Sequence, residues 1–128
     1  MTEDELKQRT KQFAIRCLRL VAALPKTIEG RAIGNQLARS GSSVGANYRS
    51  ACRGRSKAEF AAKLGTVEEE ADESAFWLEV VVELRLLPAP QVTPLLKEAN
   101  ELVAIMVSSR LTVLVRGGSQ IANRKSQV

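Results

Sequence analysis

Apolar residues recur at spacings of three and four from near one end of the chain to the other, and this period decides the fold class. Leu6, Phe13, Cys17, Leu20 and Leu24 form one stripe, and Ile33, Leu37, Val44, Tyr48 and Cys52 a second. Phe60, Leu64, Val67, Ala71, Leu78, Val82 and Leu86 form a third, and Leu95, Ala99, Leu102, Met106 and Val113 a fourth. Each set lies on one face of a helix. The punctuation agrees. Thr2 with Glu5 is a capping box, and the acids Asp4 and Glu5 suit the positive end of a first helix that Pro25 terminates. A second helix starts between Thr27 and Arg31 and stops at Gly54, a residue suited to a left-handed terminator. Ser56 with Glu59 opens a third, which Pro88 and Pro90 break, and a fourth is capped between Gln91 and Pro94. These signals predict helices over 3–24, 28–53, 57–87 and 92–114. So few residues join the second and third helices that they must be antiparallel neighbours. The expected fold is all-α: an antiparallel up-down-up-down four-helix bundle over residues 1–115, followed by a basic, disordered tail at 116–128.

Several function classes fall away on residue content. A chain of 128 residues supports one domain and one core. Apolar runs such as Val80 to Val82 are far too short to span a bilayer, and the acidic start Met1-Thr2-Glu3-Asp4-Glu5 lacks the basic and apolar regions of a secretory signal; both point to the cytoplasm and away from membranes. Cys17 and Cys52 have no CxxC spacing and sit in apolar registers, as buried reduced thiols do. The chain contains no histidine, which removes Ser-His and Cys-His nucleophile systems and the Glu-x-x-His motif of di-iron bundles. Glu70 with Glu73, and Glu98 with Glu101, have carboxylate spacing, yet the other helices offer no inward carboxylate to complete a site. Gly41 to Gly45 lacks the lysine and preceding strand of a phosphate loop. The expectation is a non-enzyme with no catalytic, cofactor or metal residues; a carboxylate metal enzyme is the alternative that stoichiometric iron or manganese would restore.

What remains is charge. Residues 26–63 hold eight Lys/Arg against two Glu, whereas residues 64–90 hold one Arg against seven acids. The basic helix is also poor helix material: Ser40-Gly41-Ser42-Ser43 is followed by Gly45, and each glycine costs about 1 kcal/mol relative to alanine. Gly34, Ala38, Gly41 and Gly45 lie on roughly one side, so the loss must be recovered by close backbone packing against a neighbouring helix, within the bundle or in another subunit. Beyond this strip, Arg49, Arg53, Arg55 and Lys57 cluster at the helix end, while Arg110 and Arg116 enrich the C-terminal region; these six are the candidate contacts to a phosphate backbone. With only five aromatic residues, and Phe13, Phe60 and Trp77 in core or interface registers, base stacking is not expected, so binding would be sequence-independent and salt-sensitive.

The run Arg31, Ile33, Gly34, Gln36, Leu37, Arg39, Ser40, Ser43, Val44, Ala46 and Asn47, followed by Glu69, Glu70, Glu73 and Trp77, resembles the 23S rRNA-intervening-sequence (S23) family of four-helix bundle proteins. The likeness covers about residues 5–114, and the Q-x-x-R-S-x-x-S-x-x-x-N spacing from Gln36 to Asn47 beside an acidic helix is its specific part. The resemblance implies a cytosolic, ring-like homopentamer related to the accessory variability determinants of diversity-generating retroelements, which engage a reverse transcriptase and nucleic acid. It supplies no catalytic residues. Two readings follow. In one, a homo-oligomeric scaffold or adaptor binds RNA or DNA, and a protein client, through basic surfaces. In the other, the charges serve self-assembly alone: Arg39 or Arg49 pairs with Glu69, Asp72 or Glu73, and Asn35, Gln36 and Asn47 satisfy buried groups. Gln36, Arg39, Ser40, Ser43, Asn47, Glu69, Glu70, Glu73 and Trp77 are the candidate helix-packing or subunit-interface residues, with Trp77 as anchor.

Overall fold

The computed structural model describes residues 1–126, with side chains described through Val115. It contains four helices, α1 (Glu3–Ala23), α2 (Ile28–Cys52), α3 (Lys57–Glu83) and α4 (Ala89–Ser126), and no strand among the described residues. Each helix runs antiparallel to the one before it. Gly45, Gly41 and Gly34 of α2 lie in turn against Thr10, Cys17 and Val21 of α1, Ser40 meets Ser74 of α3, and Glu68 of α3 meets Arg110 of α4. Consecutive helices share the broad interfaces, and the α1–α4 seam is narrow.

The predicted stripes form the core. Phe13, Leu37, Leu64, Leu78, Leu102 and Met106 are completely buried, joined by Cys17, Val44, Val67 and Ala71. Cys52, Phe60, Val82 and Leu86 are half-buried at its margin, and Val81 takes the fully buried place expected of Val82.

The expected cap at Thr2 is present, and Thr27 caps α2. Thr2 Oγ1 accepts from the Glu5 N–H at 3.1 Å while the Glu5 carboxylate accepts from the Thr2 N–H at 3.1 Å, and Thr27 Oγ1 accepts from the Gly30 N–H at 3.1 Å. Ser56 caps α3 through the Glu59 N–H at 3.1 Å, and the Glu59 carboxylate reaches back to the Arg55 N–H at 2.6 Å.

Three boundary expectations are corrected. Gly54 does not end α2 in a left-handed conformation, since no glycine among the described residues has positive φ. The helix tightens instead at Arg53 and Gly54, whose N–H groups donate to Ser50 and Ala51, and a Cβ at Gly54 would lie 3.1 Å from the Ala51 carbonyl. Second, α3 stops at Glu83, before the prolines. Arg85 takes the left-handed position with φ of 54°, its N–H bonds Val82 O, and the Leu86 N–H bonds Val81 O at 3.1 Å. That is a Schellman closure with arginine in the place usually given to glycine, and Leu86 folds back onto the core. Third, α4 begins at Ala89, because Pro90 fits a first turn where no N–H is required, and Pro94 is carried inside the helix. The expected tail at 116–128 falls where side chains, and residues 127–128 altogether, lie outside the described residues; α4 itself is assigned to Ser126.

Candidate functional site

Small residues of α2 set how closely it approaches α1, and so shape the surface between them. A Cβ placed on Gly41 would lie 2.5 Å from the Cβ of Cys17 and 2.7 Å from its Sγ. One on Gly45 would lie 3.1 Å from the Thr10 carbonyl oxygen and 3.4 Å from the Ala14 Cβ, and one on Gly34 would lie 3.3 Å from Val21. Within the chain, the partner of the glycine strip is therefore α1. Ser40, one step round the helix, faces α3: the Ser74 hydroxyl donates to Ser40 Oγ at 2.9 Å within an otherwise apolar layer, where both serines are fully buried. Burial at Cys17 pushes its thiol up to about 12, which leaves it a packing group.

Within the single chain the amides are exposed or bond their own helix. Asn35 and Gln36 are exposed, and half-buried Asn47 donates to the Ser43 carbonyl of its own helix at 2.9 Å. The carboxylate pairs, by contrast, are engaged by arginine. Arg39 bridges Glu70 at 3.0 Å and Glu73. Arg9 is held in the same manner at the narrow seam: its Nε and Nη2 donate to the two oxygens of Glu98 at 2.8 and 2.7 Å, and Nη2 also reaches Glu101 at 2.8 Å. Hydrogen bonds from Arg9 hold the Glu98 carboxyl below its ordinary value, opposed by burial, and the same bonds, accepted by Glu98, raise Arg9 in turn. Both Glu-x-x-Glu spacings thus serve as arginine receptors. Among the described residues no three His, Cys, Asp or Glu side chains converge as metal ligands.

Of the candidate basic residues, Arg49 and Arg53 are exposed along a groove of about 850 Å³ between α1 and α2, and Lys7 and Lys11 line it from the opposite side. Its floor is Gly45, Ala46 and Ala14, small enough to leave the backbone near the surface. Asp4 is the acid on its rim, 3.4 Å from Lys7 and itself almost fully exposed, so it offsets little of the positive field. Arg55 and Lys57 line a separate depression of about 520 Å³ with Ser56, Phe60, Val113 and Glu3. Cys52 borders both; burial, first, and then a hydrogen bond with Glu3 push its thiol up to about 11. Arg110 stands apart: it is bound by Glu68 at 2.8 Å, and its buried Nε has no partner among the described residues. The Arg116 side chain lies outside the described residues. Charge summed along α2 does not reveal Lys7 and Lys11, because the groove is built across two helices. The signal that could have found them is the i, i+4 spacing of Lys7 and Lys11, matched antiparallel by Arg49 and Arg53.

Residues 2–108 match the model of the 23S rRNA-intervening sequence protein family. The chain belongs to this family. The match takes in α1, α2 and α3 of this family member, enters α4, and includes the Arg9–Glu98 and Arg39–Glu70 ion pairs. A crystal structure of a protein of unknown function from the S23 ribosomal protein family of Bacteroides thetaiotaomicron VPI-5482 superposes with a TM-score of 0.77 at 28% identity, covering 82% of this chain and 97% of that one. No curated protein matches the chain. None of the described helices of this family member is long and apolar enough to cross a membrane.

Proposed function

We propose that this protein is a non-catalytic scaffold that self-assembles, as a ring of five by family resemblance, and holds the phosphate backbone of RNA or DNA in the α1–α2 groove. The observation that carries this reading is the placing of Lys7, Lys11, Arg49 and Arg53 around one groove with a floor of small residues. The groove offers cations and no aromatic side chain, so it suits phosphates and provides nothing for stacking or reading bases. A chain of net charge +5 adds long-range attraction, which assembly multiplies; five copies carry about +25. A protein client would use the remaining surface of the assembly.

Binding to fluorescent RNA and duplex DNA, followed by anisotropy across a salt series, tests the proposal. Four phosphate contacts per protomer give a slope of log affinity on log salt of about −3.6 for duplex and about −2.8 for single strands. Replacing the four cations with glutamine should abolish low-salt binding and leave the helical circular dichroism unchanged. No binding at tens of micromolar protein in low salt overturns the reading, as does a quadruple variant that binds like the wild type.

The pairings of Arg39 and Arg110 with α3 favour a second reading, in which charge serves folding and assembly alone. Arg39 and Arg110 are already engaged within the chain, whereas Lys11, Arg49 and Arg53 face the groove without ion-pair partners among the described residues.

A further inference from the structure

The described residues leave the solvent face of α3 uncovered. Glu69, Asp72, Phe76, Glu79 and Glu83 follow one another at spacings of three and four, which sets them on one helical stripe, and all five are exposed. Phe76, the apolar member of this acidic row, is 53% exposed. Half-buried Trp77 and Val80 and exposed Leu84 lie alongside it. The Phe76 and Trp77 rings meet edge to face at 4.9 Å and 79°, forming a preset aromatic platform. Trp77 Nε1 is shielded from solvent yet donates to nothing among the described residues. Glu68, Glu70 and Glu73 each hold an arginine, but Glu69, Asp72, Glu79 and Glu83 have no ion-pair partner among the described residues.

The complementary surface is on α1. From Leu6 to Ile28 the chain contains no acid; on α1 Arg19 is exposed beside Ile15, Leu18 and Ala22, which recur at spacings of three and four, and Lys26 is exposed just past the helix end. Leu18 is 47% exposed. This stripe points away from the glycine contacts with α2 and from the Arg9–Glu98 seam with α4.

We infer that the acidic-aromatic face of α3 docks onto the basic-aliphatic outer face of α1 of the next copy of this chain. The inference rests on the self-assembly reading and gives it a direction. Because the two faces differ, the contact is heterologous, and repeated contacts of this kind close into a ring when the rotation permits. Phe76 and Trp77 are its anchors, and the charges fix register and exclude α3-to-α3 pairing.

Sedimentation velocity on four proteins tests it: the wild type, Arg19→Glu with Lys26→Glu, Glu79→Lys with Glu83→Lys, and the chain carrying all four exchanges. The expected result is an assembled wild type, single-chain mass for each one-face variant, and reassembly of the four-exchange chain, with circular dichroism confirming the helices in every case. A wild type that sediments as a single chain overturns the self-assembly reading and this pairing together. An assembled wild type whose one-face variants stay assembled, or whose four-exchange chain does not recover, overturns the pairing alone; in the former case the exposed Leu111 and Leu114 of α4 become the surface to vary.

Discussion

Substituting Gly41 with alanine sets two physical effects of opposite sign against each other. Gly41 lies inside α2, where helix propensity alone predicts that alanine stabilises by about 1 kcal/mol. The new Cβ, however, would sit 2.5 Å from the Cys17 Cβ and 2.7 Å from Sγ, in a place where Cys17 is fully buried. Ordinary carbon contacts need about 3.5 Å or more. The Cys17 Cβ is fixed to its backbone, so relief requires the helices to separate by roughly 1 Å, which also loosens the flanking contacts of Gly34 and Gly45. Overpacking of this kind costs about 1–3 kcal/mol, and three contact points along one seam argue for the upper end. Net of propensity, Gly41→Ala should destabilise by about 2 kcal/mol. Gly65 is the internal control: it lies inside α3, and a Cβ there would meet only Arg110 Cδ at 3.9 Å, so Gly65→Ala should stabilise by about 1 kcal/mol. Urea unfolding at fixed protein concentration, followed by circular dichroism, measures both differences. Cys17→Gly in the Gly41→Ala background removes the clashing atoms and should recover part of the loss, giving a coupling of at least 1 kcal/mol in a double-mutant cycle. Gly41→Ala matching Gly65→Ala in sign would refute the close α1–α2 seam.

Other parts of the structure give further expectations. Arg85→Gly should raise stability by about 1 kcal/mol, because an L-residue at φ of 54° carries a steric cost that glycine avoids; urea midpoints read it directly. Glu98→Gln should lower stability at pH 7 by about 1–2 kcal/mol, since a part-buried bidentate pair is lost. The folded-state pKa of Glu98 is depressed, so its contribution is complete above the ordinary carboxylate value of 4.5 and fades as pH falls through the lower folded value; the difference between wild type and variant in urea unfolding should shrink over that acid range and be unchanged from pH 6 to 8. Ser74→Ala should cost about 1–2 kcal/mol by depriving Ser40 of its hydroxyl partner, whereas the Ser40→Ala, Ser74→Ala pair should cost less than the sum of the single changes.

The sequence carried the helices and the core because both depend on a local period, and Phe13, Leu37, Leu64 and Leu102 are buried where that period puts them. It carried less about ends, where Arg85 overrides its own left-handed penalty because Leu86 has a core to return to, a balance that no local signal records. It carried least about partners. The spacing of Glu70 with Glu73 and of Glu98 with Glu101 declared two carboxylates on one face, and that arrangement suits either a cation between them or an arginine across them. Which of these forms depends on whether another helix delivers a guanidinium to the same height. Arg39 does so because Ser40 and Ser74 set the register of α2 on α3, and Arg9 does so at the only close approach of α1 to α4 that an ion pair marks among the described residues. The same dependence explains why charge summed along α2 located half of the groove. A helix contributes one wall, and the glycine seam, by fixing how near α1 comes, turns Lys7 and Lys11 into the other. Gly45 therefore links packing to the proposed function: a larger residue there would move the two cationic walls apart before it touched any phosphate. Gly45→Leu should accordingly weaken nucleic-acid binding with all four cations in place, and undiminished binding by that folded variant would separate the groove from the seam that shapes it.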